Sequence, residues 1–347
     1  MNRSDKTTIQ DIAKRLNTTA ATVSRALNDH PRISKATKEA VRKMALKLNY
    51  QPNHIASALR SGKSKLIGVI VPTANRAFFS AVVRGIEEVA ILHNYRVILC
   101  QSYDDPKKES ETIAALLSAR VDGVIASTGK HTVTFDHYQR VLDKGIPLIL
   151  FDRGNPHLKV SQVLIDDYQG AYTAVKHLID QGCKRIAHFT SNNKISIYKD
   201  RLRGYLDALR DADIPVDEQL IVESDLQLED GRAGMEHLLK LSQKPDAVFS
   251  SSDFGAMGAM QVLKENKIII PEEVALVGFS NEPFTSYTDP PLSSVDQISI
   301  TMGKITAEAF FDQLKGDKFE FTPQKTVLPP QLIIRASSEK SKSPPTQ

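Results

Sequence analysis

From residue 66 onward, short apolar runs alternate with amphipathic stretches, and this alternation limits the fold more than any other feature. The apolar runs are Leu66–Val71, Arg96–Cys100, Val121–Ala126, Pro147–Phe151, Arg185–Phe189, Asp246–Ser250 and Val274–Phe279. Between them, Ala81–His93, Lys108–Ser118, Tyr168–Gln181 and Gly231–Leu241 carry apolar residues at helical spacing. Strand–helix alternation predicts parallel, doubly wound sheets. About 270 residues is large for one such sheet and suits two similar lobes. Ligands bind beyond the carboxyl ends of strands in open α/β sheets, so two lobes can present those ends across a shared cleft. The polar, Pro-containing stretch from Ser337 to Gln347 reads as a disordered tail.

The residues before this body follow a different period. Ile9, Ile12, Ala13 and Leu16 form the stripe of an amphipathic helix, with Thr8 and Asp11 in a capping-box pattern. Asn17-Thr18 makes a short turn, and Thr19 can cap a second helix through about Asn28. A third helix starts at Ser34, carries Val41, Met44, Ala45 and Leu48, and stops at Asn49 and Pro52. Helix, tight turn and helix fit a helix-turn-helix, although any small helical bundle shares the pattern. Val23, Ala26 and Leu27 can face the core of the second helix. Ala20, Ala21, Ser24, Arg25 and Asn28 are then left exposed without the usual Glu/Lys pairs. Small residues with one Arg suit close approach to base edges. Asn53 and Gly62 bracket a further helix of about eight residues, marginal alone in water. Ile55, Ala56 and Leu59 give it a narrow apolar strip. It reads equally as a linker packed on the body or as a hinge that folds on DNA, with Leu59 as a minor-groove wedge.

The charge follows the same boundary. Residues 1–65 hold 14 Lys and Arg against 4 Asp and Glu, a balance of +10. The remaining 282 hold 31 against 37, a balance of −6, so the net +4 averages a basic head and a mildly acidic body. Such asymmetry points to nucleic acid or membrane at the basic end. No apolar run is long enough for a membrane span, and the start leads into no secretory h-region. A cytoplasmic, reduced protein is expected. Cys100 and Cys183 are too few for a disulfide framework or a Cys-based zinc site. The nine His do not fall at metal-ligand spacing with carboxylates, and neither G-x-G-x-x-G nor G-x-S-x-G is present. The expectation is no enzyme, no metal and no cofactor.

Three strings add up to a family. They are Thr8-Ile9-Gln10-Asp11-Ile12-Ala13, Ala21-Thr22-Val23-Ser24-Arg25-Ala26-Leu27-Asn28 and Leu48-Asn49-Tyr50-Gln51-Pro52-Asn53. The chain closely resembles the LacI/GalR family of bacterial transcription regulators. The likeness continues through His177-Leu178 with Gly182 to Ala187, Arg201-Leu202-Arg203-Gly204-Tyr205, Ser252-Asp253-x-x-Ala256-x-Gly258, Pro291 to Val295 and Arg335. It covers about residues 8–335.

The resemblance implies an all-α helix-turn-helix head over 1–49, a hinge helix over 50–64 and an α/β body over 65–335. The body would be two-lobed like the periplasmic sugar-binding proteins, with chain crossovers near 165, 296 and 326. The first lobe would then hold 66–165 and 297–325, the second 166–295 and 326–335, with a disordered tail over 336–347. Thr19, Ala20, Ala21, Ser24, Arg25 and Asn28 would be the recognition-helix contacts, with Ala20 and Ala21 at the positions that read bases most variably. Thr8, Arg32, Ser34, Thr37 and Asn53 would hold phosphates, and Ala56 and Leu59 would enter the minor groove. A homodimer would read a near-palindromic operator. Phe79, Asp152, Arg153, Arg201, Ser252, Asp253 and Ser280 would line or support the effector cleft, although Asp253 could equally only cap its helix. Ser252 stands where the family usually has Asn, and Ser280-Asn281 where Asp-Asp is common. Fewer acceptors beside Arg153 and Arg201 would make the cleft more positive. An anionic sugar derivative and a neutral sugar are therefore equal expectations. The implied function is a ligand-controlled regulator, expected to repress. A ligand-binding protein without a DNA role and a regulator using a protein corepressor are the alternatives.

Overall fold

A computed structural model of the chain describes residues 7–50, 62–191, 195–315 and 322–340. The chain divides into two compact units, Met1–Ser64 and Lys65–Gln347. Asn53, Ala56 and Leu59 lie outside the described residues.

The head holds three helices, α1 (Ile9–Arg15), α2 (Ala20–Leu27) and α3 (Lys35–Lys47). Each starts where a hydroxyl can satisfy an orphan N–H. Thr8 and Asp11 form a reciprocal capping box on α1, and Thr19 and Ser34 cap α2 and α3. Asn17, at φ 47, supplies the left-handed turn between α1 and α2. Ile12, Ala13, Val23, Ala26, Val41 and Ala45 form a small shared core.

The body contains two sheets of like design. The first is built from β1 (Leu66–Val71), β2 (Arg96–Gln101), β3 (Gly123–Ala126), β4 (Leu148–Phe151), β5 (Ser161–Ile165) and a late strand, β11 (Lys325–Leu328). Their spatial order is β11-β5-β4-β3-β1-β2, all parallel. The second uses β6 (Ile186–Thr190), β7 (Ile221–Glu223), β8 (Ala247–Ser250), β9 (Ala275–Phe279), β10 (Ser293–Asp296) and β12 (Gln331–Ile333). Their order is β12-β10-β9-β8-β6-β7, with only β12 antiparallel.

Helices cover both faces of each sheet, which is why central strands read as unbroken apolar runs. In the first lobe α4 (Ala77–Leu92) and α11 (Ser299–Lys315) bury Val82, Ile86, Phe310 and Phe311 against one face. α5 (Pro106–Ser118) and α6 (Asp136–Asp143) bury Ile113, Leu116, Tyr138 and Val141 against the other. The second lobe repeats this with α7 (Asp167–Asp180) and α8 (Ser196–Asp211) on one face, and α9 (Leu228–Leu238) and α10 (Asp253–Glu265) on the other.

The chain passes between lobes after β5, after β10 and between β11 and β12. The third passage lies at 329–330, not near 326, because Lys325–Leu328 pairs in register with Gln162–Ile165 of the first sheet. The described part of the tail expected from 336 is not disordered, and residues 341–347 lie outside the described residues. Ser337 and Ser338 are fully buried. Ser337 Oγ donates to Leu276 O at 2.7 Å and accepts from the Ser293 N–H at 2.8 Å, and Ser338 Oγ bonds Ser293 Oγ at 2.7 Å. Small hydroxyls read as a polar tail here serve as partners for buried backbone.

A helix-turn-helix head and a two-lobed ligand cleft

In the head, α2 buries Val23 and Ala26 and turns Ala21, Arg25 and Asn28 outward. Ala20 and Ser24 are half-buried rather than exposed, because Ala20 packs on the head core. Several expected contacts already hold local bonds. Thr19 Oγ1 accepts from the Thr22 N–H at 3.1 Å, and the Asn28 amide donates to Ser24 O at 2.8 Å. Thr8 Oγ1 donates to Asp11 at 2.7 Å, and Ser34 and Thr37 share a hydroxyl bond of 2.9 Å. Thr8, Thr19 and Ser34 fix helix starts and Asn28 the end of α2; Thr8, Arg32 and Ser34 are exposed and Thr37 half-buried. Arg25 projects from the outward face of α2 at its last turn.

In the body, the carboxyl ends of both sheets converge on one cavity of about 410 Å³, within the roughly 300–1,000 Å³ usual for small-molecule sites. Phe79, Asp152, Arg153, Arg201, Ser252 and Ser280 all line it. Asp152 and Ser280 occupy matching places, each directly after the fourth strand of its lobe's ladder and each at positive φ, 61° and 124°. Such backbone is costly for a side-chain-bearing residue and concentrates at ligand sites.

Asp253 does not line the cavity. Ser252 is the cap of α10, with its Oγ accepting the Phe254 N–H at 3.3 Å. The Asp253 carboxylate turns inward and is fully buried. It accepts from Ser294 Oγ at 2.6 Å and from the Glu282 N–H at 2.7 Å, so both oxygens are spent on holding the loop after β9. A side chain at Gly278 would strike Asp253 at 2.1 Å, and burial pushes the Asp253 pKa up to about 7. Arg335 secures the same loop by donating to Leu292 O and Asn281 Oδ1 at 2.7 and 2.8 Å.

Neither expected cation is free. Arg201 donates to Asp167 at 2.8 Å and to Ser251 O at 2.9 Å, and lies 3.6 Å over the Phe279 ring. Burial raises Asp167 to about 7 even with this partner. Arg153 is bonded to Asp104, with Asp152 3.8 Å away. Burial works against its charge, but Asp104 and Asp152 raise its pKa overall. The expectation of a positive cleft around Arg153 and Arg201 is therefore corrected, since each is neutralised by carboxylates of its own lobe.

The sequence reading missed six cavity residues that reach across the lobes. Arg76, half-buried before α4, donates to Gln227 Oε1 at 2.7 Å and stacks 3.6 Å over Phe254. Burial lowers its pKa despite Glu282 nearby. Glu282 accepts from the Ala77 N–H at 3.1 Å, placing a second-lobe carboxylate at the N-terminus of α4. Lys130 meets Asp225 at 2.5 Å. Glu282, Asp152 and Asp225 supply the acceptors that Ser252 and Ser280 lack. A residue that acts only when two lobes meet leaves no local signal. The one trace is Pro283, which marks a turn just after Glu282.

The cavity sets aromatic faces beside paired donors and acceptors, and no group of metal-ligating side chains occurs among the described residues. No helix among them is long and apolar enough to cross a membrane. Helix-turn-helix head and twin-sheet cleft together define a DNA-binding regulator built on a periplasmic-binding-protein-like body. Residues 8–53 match the bacterial regulatory proteins of the lacI family, and residues 175–338 match the periplasmic binding protein-like domain. The chain is 33% identical over 334 residues to the transcriptional repressor CytR of Escherichia coli strain K12, covering 95% of this chain and 96% of that one. Its structure is similar to the CelR–cellobiose complex of a transcriptional regulator, with TM-score 0.72, 28% identity and coverage of 95% and 99%. Its fold matches the lac repressor dimer bound to operator with TM-score 0.85, over 96% and 99% of the two chains at 22% identity. The chain belongs to the LacI family and is a DNA-binding transcriptional regulator, not an enzyme.

Proposed function

We propose that this regulator is a repressor whose operator affinity is set by a small neutral carbohydrate in the cleft. A homodimer acts in the cytoplasm and places two heads on a near-palindromic operator. One observation carries the ligand class. Three of the four cavity cations, Lys130, Arg153 and Arg201, are each bonded to a carboxylate, and the fourth, Arg76, has Glu282 nearby, so the cavity's positive charge is largely balanced. Hydroxyl groups both donate and accept, which fits this mixture of bonded cations and acids. Phe79 and Phe254 add ring faces, and the similar CelR regulator is a cellobiose complex. A thermal-shift screen tests the class. Neutral mono- and disaccharides should raise the melting temperature, and stabilisation by sugar acids or sugar phosphates alone would overturn it.

Arg25 is the base-reading side chain of α2, set to fork to a guanine. Arg25→Ala should cost about 1–3 kcal/mol of operator preference while random-DNA binding falls far less. Equal loss on both DNAs in a titration would sink this role. Ligand and operator must change each other's affinity by the same factor.

A further inference from the structure

The contacts that cross the cleft share one direction. Among the described residues, Arg76 Nη2 to Gln227, the Ala77 N–H to Glu282 and Lys130 Nζ to Asp225 all run from a first-lobe donor to a second-lobe acceptor. The Arg76 guanidinium on Phe254 adds a fourth tie of the same sense. All are made by the chain's own residues.

The donors are held in place before they cross. The Lys130 loop hangs on Glu109, whose fully buried carboxylate accepts from the Gly129 N–H at 2.9 Å, Thr132 Oγ1 at 2.7 Å and Tyr138 OH at 2.7 Å, with His137 Nε2 at 2.9 Å. The Lys130 N–H itself donates to Asp104 at 2.8 Å. Glu109 does not line the cavity, and its bonds tie the Gly129–Thr132 loop to His137 and Tyr138 of α6, so it acts as a positioning residue for Lys130. On the acceptor side, Glu282 is set by the Asp253 carboxylate beneath its backbone.

We propose that Arg76, Lys130, Asp225 and Glu282 form a built-in latch by which the chain's own bonds hold the lobes closed. Closure is then the resting state of this regulator. The effector enters as an added occupant that retunes the latch, because a ligand shifts a two-state equilibrium only by its differential affinity for the two states. The consequence for regulation rests on the cleft being the effector site; the latch itself does not.

Inter-lobe distance in the full-length, ligand-free protein tests this. Spin labels are placed through Val133→Cys in the first lobe and Tyr287→Cys in the second, both well exposed, in a background of Cys100→Ser and Cys183→Ser. With labelled protomers diluted in an excess of unlabelled chain, the parent should give one short, narrow intra-protomer distance distribution by pulsed electron paramagnetic resonance. The triple variant Arg76→Met, Asp225→Asn, Glu282→Ala should give a longer, broader one, with circular dichroism unchanged. Lys130→Asp alone should also open the protein, and adding Asp225→Lys should restore the narrow peak, which a merely structural role for these residues would not produce. A triple variant as narrow as the parent, a parent already broad, or a charge swap that fails to restore closure overturns the latch. Glu109→Gln should broaden the distribution only where Lys130 is present; an equal effect in a Lys130→Ala background removes its positioning role. Because no ligand is added, failure here leaves the thermal-shift result on sugars standing, and the reverse also holds.

Discussion

The two lobes share a strand order and differ in how their mouths handle charge. Each keeps one arginine neutralised at home, Arg153 with Asp104 in the first and Arg201 with Asp167 in the second. Beyond those pairs, the first lobe offers donors and the second offers acceptors. The fold alone therefore gives two equivalent halves, and a few loop side chains make them complementary. Buried carboxylates deepen the contrast: both groups pushed to about 7, Asp167 and Asp253, sit in the second lobe.

The largest expected effect compares the home pairs. Arg201 and Asp167 are both deeply buried, so Arg201→Met should cost about 3–5 kcal/mol by leaving the buried Asp167 carboxyl without its partner. Asp104 beside Arg153 is partly open to water, so Arg153→Met should cost only about 1–3 kcal/mol. Equal losses in denaturant unfolding would break the contrast between the lobes.

The next effect is in pH. Asp253 holds its proton up to about pH 7 when folded and to about pH 4 when unfolded. Between those values the native state binds the extra proton, so this group's contribution makes stability fall as pH rises, then level off above about 7. Asp253→Asn should flatten the melting-temperature slope across that window, by on the order of a few kcal/mol in total. An unchanged slope would show that the carboxylate is already ionised. A smaller effect is the coupling of Arg76 and Phe254 across the cleft, about 0.5–2 kcal/mol in a double-mutant cycle with Arg76→Met and Phe254→Leu. A value near zero would reduce their stacking to mere proximity. Smallest is Asp225→Asn, less than about 1 kcal/mol in unfolding because Asp225 is well exposed, even though it should loosen closure.

The head was almost wholly legible, because its information is local. Thr8, Thr19 and Ser34 each announce a helix start within four residues, and the core residues repeat every three or four. Central strands were legible for the same reason, as unbroken apolar runs. β5 (SQVLI), β10 (SSVD), β11 (KTVL) and β12 (QLI) were not, being short and polar, and their pairing is set by strands far away in sequence. The cleft divides likewise. Asp152, Arg153, Arg201, Ser252 and Ser280 were reached through family pattern and do line the cavity. Asp253 shows the limit of that route, since a carboxylate at a helix start reads as a cap or a ligand contact when its oxygens in fact serve Ser294 and Glu282. Arg76 and Glu282 lie 206 positions apart, and nothing short of the folded body puts them on one cavity.

The three chain passages between the lobes have a mechanical meaning. Two of them are tied together, since the Asp166 N–H donates to Leu328 O at 2.9 Å just where the first and third passages begin. A joint made of three strands, two of them laced, resists sliding and twisting and leaves bending as its softest freedom. A molecule held between the lobes would then act on the rest of the body mainly through one quantity, the angle of that bend. A signal reduced to a single coordinate can carry many ligands' messages, and a change of cleft side chains alters which molecule is sensed without altering how the sensing is transmitted.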